Sequence, residues 1–383
     1  MIKRLITFII LIHLPQLLAD DAWVMHTIDK SSNGADGVRL ADVNQDGRLD
    51  VTTGWEEGGQ IRVCLQPERS DVRKPWPAVR VGSVKSPEDA VFTDVNGDGW
   101  LDVVSCCEGK QQSVFFHRNP GGSRLMEPSA WKTEVLPASV RGSRWMFCQP
   151  LPDGRLAFGS KDPNGQIAIY DSQDQQIRQI RRCGWIMSLR SFDIDCDGHP
   201  DIVYSDRKGK ACGVGWLQNP GARDAPWKDH LIGGKDMEVM FLDLSTTPEP
   251  LRVVCNTRNG CLLDMTPTND VTMPWATTQI PHPPRAGAGK AVAICDVDQD
   301  GRQDLVCTCG LAEKKFGVFW LEQSAAGHHA GAWKFHDVSG TEIGVKFDRI
   351  EMLDLDGDGD KDLLTCEERD NLGVIWYENP TLD

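Results

Sequence analysis

The sequence predicts an all-β fold, a seven-bladed β-propeller with four strands per blade. Three observations predict it. A nine-residue acidic stretch recurs along the chain, the recurrence has a period of about fifty residues, and the two ends of the chain are complementary fragments of one repeat. Repeats of this length, each holding four short β-rich runs, are the signature of radially arranged blades.

The acidic stretch comes first. It reads DVNQDGRLD (42–50), DVNGDGWLD (94–102), DIDCDGHPD (193–201), DVDQDGRQD (296–304) and DLDGDGDKD (354–362). Oxygen-bearing side chains fall at positions 1, 3, 5 and 9. These are Asp42, Asn44, Asp46 and Asp50; Asp94, Asn96, Asp98 and Asp102; Asp193, Asp195, Asp197 and Asp201; Asp296, Asp298, Asp300 and Asp304; and Asp354, Asp356, Asp358 and Asp362. Position 7, occupied by Arg48, Trp100, His199, Arg302 and Asp360, is expected to offer a main-chain carbonyl. A glycine at position 6 permits the sharp turn. Carboxylates this close repel one another unless a cation sits among them. An all-oxygen set at this spacing suits calcium, which takes six to eight such ligands. The EF-hand begins in the same way but needs a glutamate at position 12 between two helices. Position 12 here is Thr53, Ser105, Tyr204, Cys307 or Thr365, and the flanks are β-branched runs. These are therefore expected to be calcium loops between strands, with a structural ion favoured over a regulatory one.

Two decayed copies, QPLPDGRLA from Gln149 and DLSTTPEPL from Asp243, complete seven units. Within a unit the loop is followed by a run such as LDVVSCC, then by one that often ends in Asn-Pro, such as GVGWLQNP or GVIWYENP. Proline stops that strand. A tryptophan-led run comes next, starting at Trp131, Trp227, Trp275 and Trp333. The last unit lacks this run, and an extra one at Trp23 precedes the first, so an N-terminal strand is expected to close the final blade. The tryptophans are expected to pack between blades. His26, His230 and His336, three residues on, are expected at the surface or satisfied by neighbours.

On these residues the chain resembles the FG-GAP or VCBS-type repeats of integrin α-subunit propellers and their bacterial relatives. The resemblance covers nearly the whole chain after residue 19 and implies a seven-bladed propeller with calcium between the first two strands of a blade. The Phe-Gly pair itself occurs only as Phe158-Gly159 and Phe316-Gly317, which points to a divergent, bacterial-type member.

Residues 1–19 read as a secretory signal, with Lys3 and Arg4 before an apolar core and Ala19 at the cleavage position; a retained anchor is the alternative. The protein is expected to be secreted, periplasmic or at the cell surface, with no span in the mature chain. The formal net charge of −15 belongs largely to the loops and argues against nucleic acid, which needs a basic face. Thirteen cysteines are mostly expected as small buried residues, with a Cys255–Cys261 bond as the best disulfide.

A propeller's central mouth is the usual place for function. Reading the turns that enter each blade places Asp36, Asp89, Arg144, Trp185, Glu238, Lys290 and Arg349 there. The leading expectation is a calcium-stabilised module that binds a polysaccharide or a cell-surface protein. The alternatives are a polysaccharide lyase or glycosidase working at the mouth, and a scaffold in a surface assembly. Tyr170, Tyr204 and Tyr377 all lie on blade runs, which disfavours tyrosine-based lyase chemistry, and His328-His329 forms the one unusual histidine pair.

Overall fold

A computed structural model describes residues 23–246, 251–325, 327 and 333–382. The signal segment and His328-His329 lie outside them. The described strands form seven four-stranded antiparallel sheets. Six sheets take their strands in chain order. The seventh has the order first strand, last, last but one, last but two, because Val24–Asp29 pairs with Gly373–Glu378. The N-terminal strand thus closes the ring as the outer edge of blade 7. Among the described residues there is no α-helix, and hence none long and apolar enough to cross a membrane.

Each blade starts at the axis. The innermost strands are Ala35–Ala41, Pro87–Thr93, Arg144–Pro150, Ile186–Phe192, Val239–Ser245, Ala288–Cys295 and Glu351–Leu353. They pack side by side around the channel, and Ala35–Ala41 closes the ring on the second strand of blade 7, Asp362–Glu367. In six of them the pairing slips by a bulge, for example between Asp36 and Arg39 and between Pro87 and Asp89. A bulge re-aims the side chains that follow it, and here they turn toward the axis. The second strands, such as Asp50–Trp55 and Asp102–Cys107, are buried along their whole length. They lie between two neighbouring blades, which is why they read as continuous apolar runs rather than alternating ones. Outer strands such as Lys132–Val135 face solvent.

All thirteen cysteines are free. Cys255 lies opposite Leu263, and Cys261 opposite Pro281, so the hairpin does not bring the two sulfurs into register. Trp131 and Trp275 are buried against the preceding blade, and their indole N–H groups donate to Leu125 O (2.7 Å) and Val271 O (3.1 Å). His26, His230 and His336 lie on Trp376, Trp216 and Trp320, at 4.5, 4.6 and 4.1 Å between ring centres. Their Nε2 atoms meet Glu378, Gln218 and Glu322, so these are satisfied histidines.

The two decayed repeats need a shift of register. Pro150 pairs with Leu156 as Ala41 pairs with Asp50, and Ser245 pairs with Arg252 in the same way. Gln149 and Asp243 therefore belong to inner strands and do not start loops. The true turn of the first, 151–155, is shorter than the intact loops.

Candidate functional site

The face on which the inner strands end, here the lower face, carries the five acidic loops. Their sixth-position glycines, Gly47, Gly99, Gly198, Gly301 and Gly359, all have φ between +87° and +109°. The turn thus requires glycine. In blade 4 the carboxylate oxygens of Asp193, Asp195 and Asp197 lie within 4.8 Å of one another, as do those of Asp296, Asp298 and Asp300 in blade 6 and of Asp354, Asp356 and Asp362 in blade 7. Blades 1 and 2 have asparagine at position 3, and Asn44 and Asn96 donate to Asp46 (2.9 Å) and Asp98 (2.8 Å). The seventh-position side chains brace the loops from outside. Arg48 reaches Asp46, Glu68 and Gln66 O, Arg302 reaches Asp300 and Gln323 O, and Asp360 accepts from Leu382 N. Trp100 and His199 lie against Gly121 and Gly221.

The ninth-position aspartates have a second role that spacing does not reveal. Each is buried and accepts two backbone N–H groups. For Asp201 these are Ile194 N in its own loop (2.9 Å) and Asn219 N at the end of the third strand (2.7 Å). Asp50, Asp102, Asp304 and Asp362 repeat the arrangement on Val43 and Gln66, Val95 and Asn119, Val297 and Gln323, and Leu355 and Asn379. This explains the Asn-Pro signal. The asparagine N–H caps the aspartate, while its side chain bonds the loop, as Asn219 Nδ2 does at Pro200 O (3.0 Å). Burial pushes Asp50 and Asp304 up to about 6, and Asp201 and Asp362 up to about 7, against the N–H bonds that favour the ionised form.

The seven residues expected at one mouth separate into three groups. Arg144, Trp185 and Glu238 stand at the upper rim, where the inner strands begin. Trp185 is enclosed by cations: Lys161 Nζ lies 4.3 Å, the Arg207 guanidinium 4.5 Å and Lys208 Nζ 5.2 Å from its ring centre. Its faces are therefore already occupied. Asp36 and Lys290 lie deeper, buried in the upper channel. Lys290 Nζ contacts Asp348 at 2.8 Å. Burial, with Asp348 and Glu88 nearby, raises Asp36 well above the usual carboxylate range. Around this pair stand Glu56, Glu88, Glu108 and Glu368, with Lys161 on Glu108 and Lys346 on Glu368. Burial, reinforced by Glu56, pushes Glu88 up to about 7. The upper channel is a plug in which three lysines stand among six carboxylates, Asp36, Glu56 and Glu88 having no paired cation among the described residues.

Asp89 and Arg349 belong to the lower end. There the channel widens into a bowl of about 440 Å³ lined by Arg39, Gln149, Arg190, Asp243, Arg349 and Glu351 among others. Arg39 is clamped by Asp89 through two bonds of 3.0 and 2.8 Å, and Cys148 N also donates to Asp89 (3.2 Å). Arg349 is buried, with its guanidinium 5.6 Å from the Phe241 ring and a 3.4 Å contact to Glu351. Arg190 differs. It is half-buried, and among the described residues it has no hydrogen-bond or ion-pair partner. It acts through space on Asp243 and Glu351, both of which burial raises above the usual carboxylate range.

Sequence reasoning missed Arg39, Arg190, Asp243 and Glu351. They share one register position, two residues before the end of an inner strand. In the intact repeats this is three residues before the first loop aspartate. A charge there was the available signal, because an inner-strand side chain at that place faces the axis.

No family model matches the chain, and no curated protein is similar enough to match it. Solved structures share the architecture. Streptogramin B lyase superposes with a TM-score of 0.59 at 9% identity, over 93% of this chain and 97% of that one. Virginiamycin B lyase from Staphylococcus aureus gives 0.57 at 11% identity, over 93% and 98%. BBS1N, solved in complex with ARL6DN, gives 0.56 at 12% identity, over 94% and 99%. At these identities the likeness is one of fold. The chain is a seven-bladed β-propeller with acidic loops on one face and a charged central channel.

Proposed function

We propose that this protein is a secreted or surface-exposed recognition module that binds an acidic polysaccharide in the lower bowl, on a scaffold braced by calcium. The observation that carries the reading is Arg190. A half-buried guanidinium facing a concave space without a partner is suited to accept a planar carboxylate through two hydrogen bonds. Arg349 adds a second positive charge, while Gln149, Asp243 and Glu351 supply hydrogen-bonding groups for hydroxyls. A uronate chain offers both chemistries. The loops fit the proposed calcium because their donors are hard oxygens and their carboxylates have too few counter-charges. The ion would hold the loops around the bowl.

The test is binding of oligogalacturonate and oligoalginate to the calcium-loaded protein and to Arg190→Ala. Micromolar binding that falls at least tenfold in the variant supports the reading. No uronate binding, with capture of a surface protein instead, overturns it in favour of a protein partner. A second reading, a glycosidase or lyase, is favoured by one observation: Glu88 is grouped with Glu56 and Glu108, and burial pushes it up to about 7, the range that suits a general acid. Released product that disappears in Glu88→Gln would establish it.

A further inference from the structure

Blade 3 breaks the repeat twice on the lower face. Its first turn, 151–155, lacks the long acidic loop, and its third and fourth strands, Gln166–Asp171 and Gln176–Arg182, are joined by a tight hairpin. Blades 1, 2, 4 and 5 place a longer arm there that ends in a tryptophan, Trp76, Trp131, Trp227 or Trp275. The consequence falls on blade 4. In blades 1, 2 and 5 the arm's tryptophan (Trp76, Trp131 or Trp275) is at most 7% exposed and donates to a carbonyl of its own arm. Trp227, their counterpart in blade 4, is only half-buried and forms a wall of a cleft between blades 3 and 4.

Two adjoining cavities make this cleft, of about 270 and about 510 Å³, and they share Arg155, Asp171 and Arg223. The walls combine the Trp227 indole and the His199 imidazole with planar polar groups. Arg223 contacts Asp171 at 2.7 Å and Asp174 at 3.2 Å, Arg178 contacts Asp224 at 3.3 Å, and Arg155 contacts Asp153 at 2.6 Å and lies 5.9 Å from the Trp227 ring. Every arginine here has a carboxylate partner, so the cleft is close to charge balance. A polyanion gains little from it. Arginine and carboxylate pairs held at fixed spacing, beside an indole, instead match vicinal hydroxyls and the apolar face of a pyranose ring.

We propose that the cleft between blades 3 and 4 is a second binding site, for a neutral oligosaccharide. It is independent of the bowl in position and in ligand charge. The combined space accommodates two to three sugar residues, and the open side lets a longer chain continue across the lower face.

The test is titration of the full protein with neutral hexaoses of glucose, xylose and mannose, followed by tryptophan fluorescence and calorimetry. The expected result is binding of at least one hexaose that weakens roughly tenfold or more in Trp227→Ala and in Arg223→Ala, and that persists in Arg190→Ala. Arg223 is exposed, so Arg223→Ala reports on the site even where Trp227→Ala unfolds the blade; Trp227→Phe should retain much of the affinity. Absence of binding at millimolar concentration overturns the proposal. So does binding that ignores both cleft variants, or binding lost only in Arg190→Ala, which would move the neutral sugar to the bowl. Failure of the uronate reading leaves this experiment unaffected.

Discussion

The two ends of the central channel are built from the same seven strands and carry the same kinds of side chain. At the upper end Lys290 meets Asp348, Lys161 meets Glu108 and Lys346 meets Glu368. At the lower end Arg39 is clamped by Asp89, but Arg190 faces a bowl with no hydrogen-bond or ion-pair partner among the described residues. The difference teaches how to read charge in a propeller channel. Buried charges paired across neighbouring blades hold those blades in place. A charge held toward open space, with rigid neighbours on either side, is poised for a ligand.

The largest effect that would break this comparison is metal removal, because it acts on the lower face alone. Each proposed calcium loop saturated a hundredfold above its Kd contributes about 2.7 kcal/mol, and blades 4, 6 and 7 would regain clustered carboxylates. Chelator should lower the Tm by about 10 °C or more and weaken uronate binding at the bowl. Calorimetry in chelator and after calcium is restored checks this; an unchanged melt would remove calcium from the account.

Next comes the plug. Lys290→Met leaves Asp348 buried without its cation, a change that typically costs about 3–5 kcal/mol. Urea unfolding should show this loss, and Asp348→Asn in the same chain should recover part of it. A loss below 1 kcal/mol, on the scale of surface substitutions, would mean that the upper charges are solvated and belong to an open mouth.

The two arginines of one register position sharpen the contrast further. Arg39→Ala strands Asp89, and should cost about 2–3 kcal/mol with a lower Tm. Arg190→Ala should change stability by less than about 0.5 kcal/mol while lowering uronate affinity at least tenfold. Equal destabilisation by both variants would make Arg190 a structural residue.

Particular residues show why the architecture was legible in the sequence and the site only partly so. The loops announce themselves because the turn needs its sixth-position glycine and the clustered aspartates have few other uses. The Trp23 run marks the closing strand because a ring must pair its ends. Local pattern cannot show which way an inner-strand side chain turns after a bulge. Asp36, Asp89 and Lys290, beside such bulges, were therefore expected at one mouth together with Arg349, and the four divide between two ends. Asp243 was hidden for another reason. With its loop shortened, it passed for a decayed ligand, although it lies in a strand and faces the bowl. Two acidic groups meet at Glu56, one with Asp36 and Glu368 and one with Glu88 and Glu108; they draw on separate blades, and only the closed ring makes blade 7 a neighbour of blade 1.

The smallest expected effect is the pH dependence of the plug. Glu88 titrates at about 7 in the folded protein and at an ordinary glutamate value, near 4.3, when unfolded. Between these values the folded state binds more protons than the unfolded state, so stability must fall as pH rises. The contribution is complete below the unfolded pKa and is lost as pH passes through about 7. Burial and the carboxylate of Glu56 cause the shift, and Lys161, Lys290 and Lys346 oppose it. The effect on stability is roughly 1–2 kcal/mol. Glu88→Gln carries no such proton, so the fall in its Tm between pH 5 and 8 should be smaller than that of the native chain by a few degrees. Parallel curves would show that Glu88 is ionised throughout this range, which would also remove the general acid on which the glycosidase reading rests.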